Sequence, residues 1–136
     1  MAKDFEIKGG SDVKTTFATK AAGVVIEAGD LVTLSSGLII KAVAGSTAIA
    51  YAPNGAASAD LQCEVTIGND FTLVGTSDAN FAVTDKGIEC DLIGTTTLLI
   101  DLGESTTDVF KVGIGTTAGT AGSTANVEVK INKPLF

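Results

Sequence analysis

Apolar and polar side chains alternate without a break in Leu61-Gln62-Cys63-Glu64-Val65-Thr66-Ile67. Successive side chains of a β-strand point to opposite faces, so a period of two indicates a strand with one buried and one solvated face. The same alternation runs through Asn126–Asn132, and shorter versions occur at Phe5–Lys8 and Phe110–Ile114. The repetition predicts an all-β protein.

Turn-forming residues separate these runs at intervals of about 8–12 residues, a spacing typical of a β-sandwich or β-barrel. Ser35-Ser36-Gly37 and Gly68-Asn69-Asp70 each predict a hairpin, and Glu27-Ala28-Gly29-Asp30 predicts a third turn. Ala48–Ala52 is interpreted as a strand because Pro53 prevents a helix from continuing. The other predicted strands are Leu31–Leu34, Leu38–Val43, Cys63–Ile67, Phe71–Val74, Thr96–Leu102, Phe110–Ile114 and Val127–Ile131.

The apolar parity of the strands predicts a core. We expect buried side chains at Cys63, Val65, Ile67, Phe71, Phe110, Val112, Val127 and Val129. Cys63 and Cys90 both lie on this parity, which favours two buried, reduced thiols that behave as small hydrophobic side chains. A disulfide is the alternative, and a reducing cytoplasm disfavours it. A reactive thiol would need a basic neighbour, and none is close in sequence.

The composition is unusual in its chemistry. The chain has no histidine, arginine or tryptophan, and its nine basic residues, all lysines, face 16 acids for a net charge of −7. Histidine is the commonest acid–base group, and arginine is the usual bidentate ligand of phosphate or carboxylate. Nucleic acids and anionic membranes require clustered basic residues. The composition therefore predicts a protein that is not an enzyme and binds neither nucleic acid nor a membrane.

Two motifs come near to known binding sites. Gly113–Gly119 approaches the glycine pattern of dinucleotide-binding proteins, but only 17 residues follow it, too few for the helix and acidic residue that complete such a site. Asp70, Asp78, Asn80 and Asp85 carry oxygen ligands suited to Ca²⁺, but their spacing is not that of an EF-hand and is typical of turns. We expect neither a cofactor nor a metal.

The two ends of the chain differ from its body. Residues 1–12 are charged and end near the flexible Gly9-Gly10-Ser11, which predicts a flexible N-terminal arm ahead of one β domain at residues 13–136. The apolar side chains Phe5, Ile7, Leu135 and Phe136 lie where a monomer has little to bury them against, so they are the predicted partner-binding residues. Packing of the Leu135–Phe136 tail on its own domain is the alternative to packing on a neighbouring subunit.

No stretch suggests a secretion signal or a membrane span. The N-terminus lacks an apolar segment, and no apolar run approaches 18 residues. We therefore expect folding in a cytoplasm.

Residues 21–45 carry a recognisable pattern. An apolar strand leads through Ala28-Gly29-Asp30 into a second apolar strand, and a short hairpin then runs to the turn Ala44-Gly45. Over residues 15–52 this pattern resembles the small capsid-decoration, or cement, proteins of tailed bacteriophages. The resemblance implies a β-barrel or β-sandwich that binds the major capsid protein on the outer face of an icosahedral shell, often as a trimer, and stabilises the shell. It implies a virion location, an N-terminal arm laid on the capsid, and no catalytic residues.

A second hypothesis belongs to another class. Glycine-, threonine- and alanine-rich β proteins also include self-assembling filament, tail-tube and surface-layer subunits. Self-assembly distinguishes the two hypotheses, because a filament subunit polymerises alone whereas a decoration protein remains a small oligomer until it meets a capsid.

Overall fold

The computed structural model describes residues 4–9, 13–94, 96–113 and 127–136. Eleven strands and one short 3-10 turn, Val83–Asp85, lie within them, which confirms the all-β prediction. The strands are β1 Glu6–Gly9, β2 Lys14–Thr19, β3 Asp30–Ser35, β4 Leu38–Lys41, β5 Ala50–Ala52, β6 Gln62–Ile67, β7 Thr72–Gly75, β8 Glu89–Ile93, β9 Leu99–Asp101, β10 Phe110–Val112 and β11 Val127–Ile131. Ile114, the predicted end of β10, and the glycine motif beyond Gly113 lie outside the described residues.

The strands in the described ranges form three antiparallel sheets. One has six strands in the order β1-β7-β11-β10-β8-β9, one has two, β2-β6, and one has three, β4-β3-β5. Each of the three, as far as it is described, ends in edge strands and does not close into a barrel. Isolated β-bridges, such as those that pair Lys20 with Ile39 and Ile49 with Pro134, link segments that lie in or near strands of different sheets.

Two predicted turns form as expected. Ser36 and Gly37 join β3 to β4 with φ angles of 51° and 81°, the positive values that a two-residue hairpin turn requires. In the turn before β3, Gly29 has φ 93°, and the Asp30 carboxylate accepts the N–H of Glu27 at 2.9 Å. This turn is part of the pattern on which the phage resemblance rests, and the structure shows that glycine and aspartate each have a conformational reason to be there.

The hairpin predicted at Gly68-Asn69-Asp70 is wrong. The chain does turn there, but the two strands do not pair with each other. Strand β6 pairs with β2, in a register that places Lys14 opposite Ile67 and Thr19 opposite Gln62, whereas β7 pairs with β1 and β11. The strand β2 was absent from the predicted set because its Lys-Thr-Thr-Phe-Ala-Thr sequence gives no alternating hydrophobic signal, and none of its residues is fully buried. Local sequence identifies a turn but does not choose the strand that pairs beyond it.

Two buried clusters make up the core of the described residues. The larger contains Phe71, Phe110, Val112, Val127 and Val129, and the smaller contains Cys63 and Val65, so these core predictions are confirmed. The prediction that Ile67 is buried is wrong, because 40% of its surface is exposed. The neighbouring Thr66 is buried instead, and its Oγ1 accepts the N–H of Tyr51 at 2.9 Å, which breaks the alternation at the end of β6.

The N-terminal segment is part of the domain rather than an arm ahead of it over residues 4–9. The strand β1 pairs with β7, and Phe5 is fully buried, with its ring centroid 5.5 Å from that of Phe110. The Phe5 ring occupies space over Gly75, where a Cβ would come within 2.3 Å of it. Residues 4–9 therefore belong to the β domain and not, as the sequence had predicted, to an arm ahead of residue 13. Residues 1–3 and 10–12 of the expected arm lie outside the described residues.

We predict that Phe5→Ala lowers the free energy of unfolding by about 3–5 kcal/mol, because it empties a site with no solvent access. Ile7→Ala is the matched control, because Ile7 is exposed and lies on β1, two residues after Phe5, and this substitution should cost about 1 kcal/mol or less. Urea melts of both variants measure the difference. Equal, small effects would mean that Phe5 is not a core residue.

Candidate binding surface

The four residues expected to bind a partner differ in how far they are exposed at the surface. Phe5 is in the core, where it cannot contact a partner unless β1 leaves the sheet. Leu135 is half-buried against the smaller core cluster, whereas Ile7 and Phe136 are exposed. Ile7 lies on the edge strand of the six-stranded sheet, and Phe136 lies beside the end of β6, where its carbonyl accepts the N–H of Gly68 at 2.8 Å.

The C-terminal tail packs on its own domain. The N–H of Ile49 donates to the carbonyl of Lys133 and the N–H of Leu135 donates to the carbonyl of Ile49, both at 3.0 Å. These bonds fix the tail alongside residue 49, and the Phe136 side chain remains exposed. Of the two alternatives for the tail, the structure shows packing within the chain.

A second exposed apolar surface lies where the β2–β6 ribbon meets the loop before β6. Phe17 on β2 and Leu61 just before β6 are 65% and 70% exposed, and both line a cleft of about 660 Å³. Because an aromatic and an aliphatic side chain are exposed together in one cleft, this surface is the candidate contact site of the described residues. Sequence analysis missed this surface. The available signal was the isolated Phe17 in a strand otherwise made of lysine, threonine and alanine.

The rim of this cleft is polar and acidic. Glu64, opposite Phe17 in the β2–β6 register, accepts hydrogen bonds from the Thr15 hydroxyl at 2.6 Å and from the Asn54 amide. Asp60 accepts the N–H of Ala57 at 2.8 Å, which holds the adjoining loop. These bonds orient the carboxylates at the edge of the apolar floor. Together they favour a partner that presents an apolar side chain next to a basic one.

A second group of acids lies at the β8–β9 end of the six-stranded sheet. Burial raises the pKa of Asp101 to about 6, and a shared hydrogen bond and charge repulsion with Asp78 add to the shift. Asp91, opposite Asp101, behaves differently. Burial opposes its ionisation, but the N–H groups of Asp108, Thr107 and Thr106 donate to its carboxylate and hold its pKa below the usual value.

Both cysteines are free and buried, as predicted. The fold brings buried Lys20 near Cys63, a basic neighbour that the sequence does not show, but burial raises the pKa of Cys63 more than the lysine lowers it. The Lys20 ammonium donates instead to the carbonyls of Ala21 and Val24. Burial raises the pKa of Cys90 to about 12, with repulsion from Asp91 next in size. Neither thiol is poised to act as a nucleophile.

No group of three or more potential metal ligands is assembled in the described ranges. The same residues contain no helix that is long and apolar enough to cross a membrane. No protein-family model, curated protein or solved structure matches the chain.

We predict that Asp101 makes stability depend on pH. Its pKa is raised in the folded state, so its contribution to stability is complete below the unfolded value of 3.8 and is lost as pH rises through about 6. Asp101→Asn carries no charge and should melt at a higher temperature than the wild type near pH 8, with the difference shrinking near pH 5. Glu89→Gln is the control, because it removes the charge of an exposed acid on β8. A difference in melting temperature between Asp101→Asn and the wild type that does not change with pH would contradict the raised pKa of Asp101.

The thiols give a separate prediction. Cys63 and Cys90 should react with a disulfide reagent only after denaturation, because neither sulfur is accessible and both pKa values are raised. The measurement is the labelling rate of the native protein against the rate in denaturant, and single Cys→Ser variants assign each thiol. A native rate near the denatured rate would show that one cysteine is exposed.

Proposed function

We propose that this protein is a non-catalytic structural component of a bacteriophage virion that binds the outer surface of the capsid and stabilises the shell. The observation that carries the proposal is the exposed Phe17–Leu61 cleft, an apolar contact site with an acidic rim. The resemblance of residues 15–52 to capsid-decoration proteins supports it, since Phe17 lies within this region and the rest of the cleft lining follows it in the chain. The partner is the major capsid protein, and the protein acts as a homo-oligomer, with a trimer favoured.

The energetics of a decorated shell suit a surface of this kind. Apolar anchors that enter a pocket contribute a large share of binding free energy, and the exposed rings and chains of Phe17 and Leu61 are such anchors. The acidic rim then selects a site with a basic residue beside the pocket. Many weak contacts add up when an oligomer binds several subunits at once, so no single contact needs to be strong.

Ile7 and Phe136 are the second set of contacts in the proposal, because they remain exposed after the domain has folded. Phe5 and Leu135 support the fold in the isolated chain. Deletion of the N-terminal residues would therefore be an ambiguous test, since it would remove Phe5 from the core and unfold the domain as well as remove contacts.

The test is cosedimentation with undecorated capsids from the phage that encodes the chain. We predict that Phe17→Ser and Leu61→Ser each melt cooperatively but decorate the capsids much less than the wild type does. Val83→Ser is the matched control, because Val83 is 71% exposed on the 3-10 turn, away from the β2–β6 ribbon. Ile7→Ser and Phe136→Ser test in the same assay whether the second set of proposed contacts, Ile7 and Phe136, contributes to capsid binding.

Three outcomes would overturn the proposal or part of it. Full decoration by both cleft variants would exclude the cleft as the contact. A wild-type protein that never binds capsids would exclude the decoration function. Fibres formed by the wild-type protein alone, seen by electron microscopy, would favour the filament alternative.

A further inference from the structure

The outer face of the six-stranded sheet carries a pocket that the proposed function does not use. Its volume is about 430 Å³, and Lys111 on β10 and Lys130 on β11 line it together with Thr72 and Glu128. Gly87 and Gly113 complete the wall and leave room because they have no side chains. The volume lies in the range of small-molecule sites, and the surface of the pocket is largely apolar.

The two lysines are direct cross-strand neighbours. Lys111 pairs with Lys130 in the antiparallel register of β10 and β11, and both are exposed. Like charges in this position destabilise a sheet, and their Cβ atoms are about 4.5–5.5 Å apart. Although the chain has a net charge of −7, two lysines occupy directly opposite positions here.

Two acids lie near this pair, and neither forms a salt bridge with Lys111 or Lys130 in the described part of the chain. Glu128 binds Lys8, with Nζ and Oε2 3.0 Å apart. Glu89 faces Lys111 from β8, but no ion pair forms between them in the described part of the chain. Neither Lys111 nor Lys130 has a hydrogen-bond or ion-pair partner among the described residues. Lys41, by comparison, contacts Asp30, Asp4 and the Thr96 carbonyl.

We infer that this pocket is an anion site, which binds a carboxylate or phosphate group carried on a small apolar body. Each ammonium has three donors and a flexible stem, so two from adjacent strands can converge on one anionic group. The Thr72 hydroxyl lies in the same wall and adds a neutral donor. The apolar surface of the pocket accommodates the remainder of the ligand, and an anion there relieves the repulsion between the lysines. The inference does not depend on the proposed capsid function.

The probes are benzoate, phenyl phosphate, inorganic phosphate and the neutral benzyl alcohol, tested by calorimetric titration and by thermal melts at low salt. We predict saturable binding of benzoate or phenyl phosphate with a rise in Tm, and much weaker binding of benzyl alcohol. The stronger of the two aromatic anions identifies the preferred head group. Tighter binding of phenyl phosphate than of inorganic phosphate supports the apolar part of the site.

Lys111→Gln and Lys130→Gln should each weaken binding of the anionic probe about tenfold or more, because each removes a charged hydrogen bond. Without ligand, both variants should melt no lower than the wild type, since the like-charge pair is gone. Lys14→Gln removes an exposed lysine from β2 and is the matched control. The inference is wrong if the wild type binds neither aromatic anion, if benzyl alcohol binds equally well, or if Lys14→Gln weakens binding as much as the pocket variants do.

Discussion

Tyr51, the single tyrosine of the chain, connects the three sheets that the described residues form. It lies on β5 of the three-stranded sheet, its N–H donates to Thr66 on the β2–β6 ribbon, and its hydroxyl donates to the carbonyl of Phe5 next to β1 at 3.2 Å. A buried polar group must be satisfied, so these bonds specify where each sheet sits. Burial raises the pKa of the Tyr51 hydroxyl, and the negative charge of Glu6 adds to the shift.

The exposed surfaces follow from this arrangement. Because Thr66 turns inward to Tyr51, Ile67 turns outward and joins Phe136 at the surface. The β2–β6 ribbon covers the smaller core cluster with one face, through Cys63 and Val65, and leaves Phe17 on the other. The candidate contact surface is therefore built partly on the paired strands, which carry Phe17 and Glu64, and partly on the adjoining loop, which carries Asp60 and Leu61.

The chain stabilises its buried acids without arginine or histidine. Asp91 receives three backbone N–H groups, and Asp30 receives one and lies 3.7 Å from the Lys41 ammonium. Backbone donors and lysines thus replace the bidentate arginine pairs common elsewhere. Lys111 and Lys130 receive no hydrogen-bond or ion-pair partner from the described residues, and the proposed anion would supply one.

The sequence alone determined the fold class, most strand positions and most of the core, because a period of two in strands such as Val127–Ile131 directly indicates which face is buried. It also located the Ser36-Gly37 and Gly29-Asp30 turns, whose conformations depend on the residues in them. Only the tertiary structure decided which strands pair, that Phe5 is a core residue, and that Phe17 and Leu61 share a cleft. These features depend on contacts between distant segments, such as Tyr51 with Thr66 and Phe5, and no local pattern encodes the choice of partner.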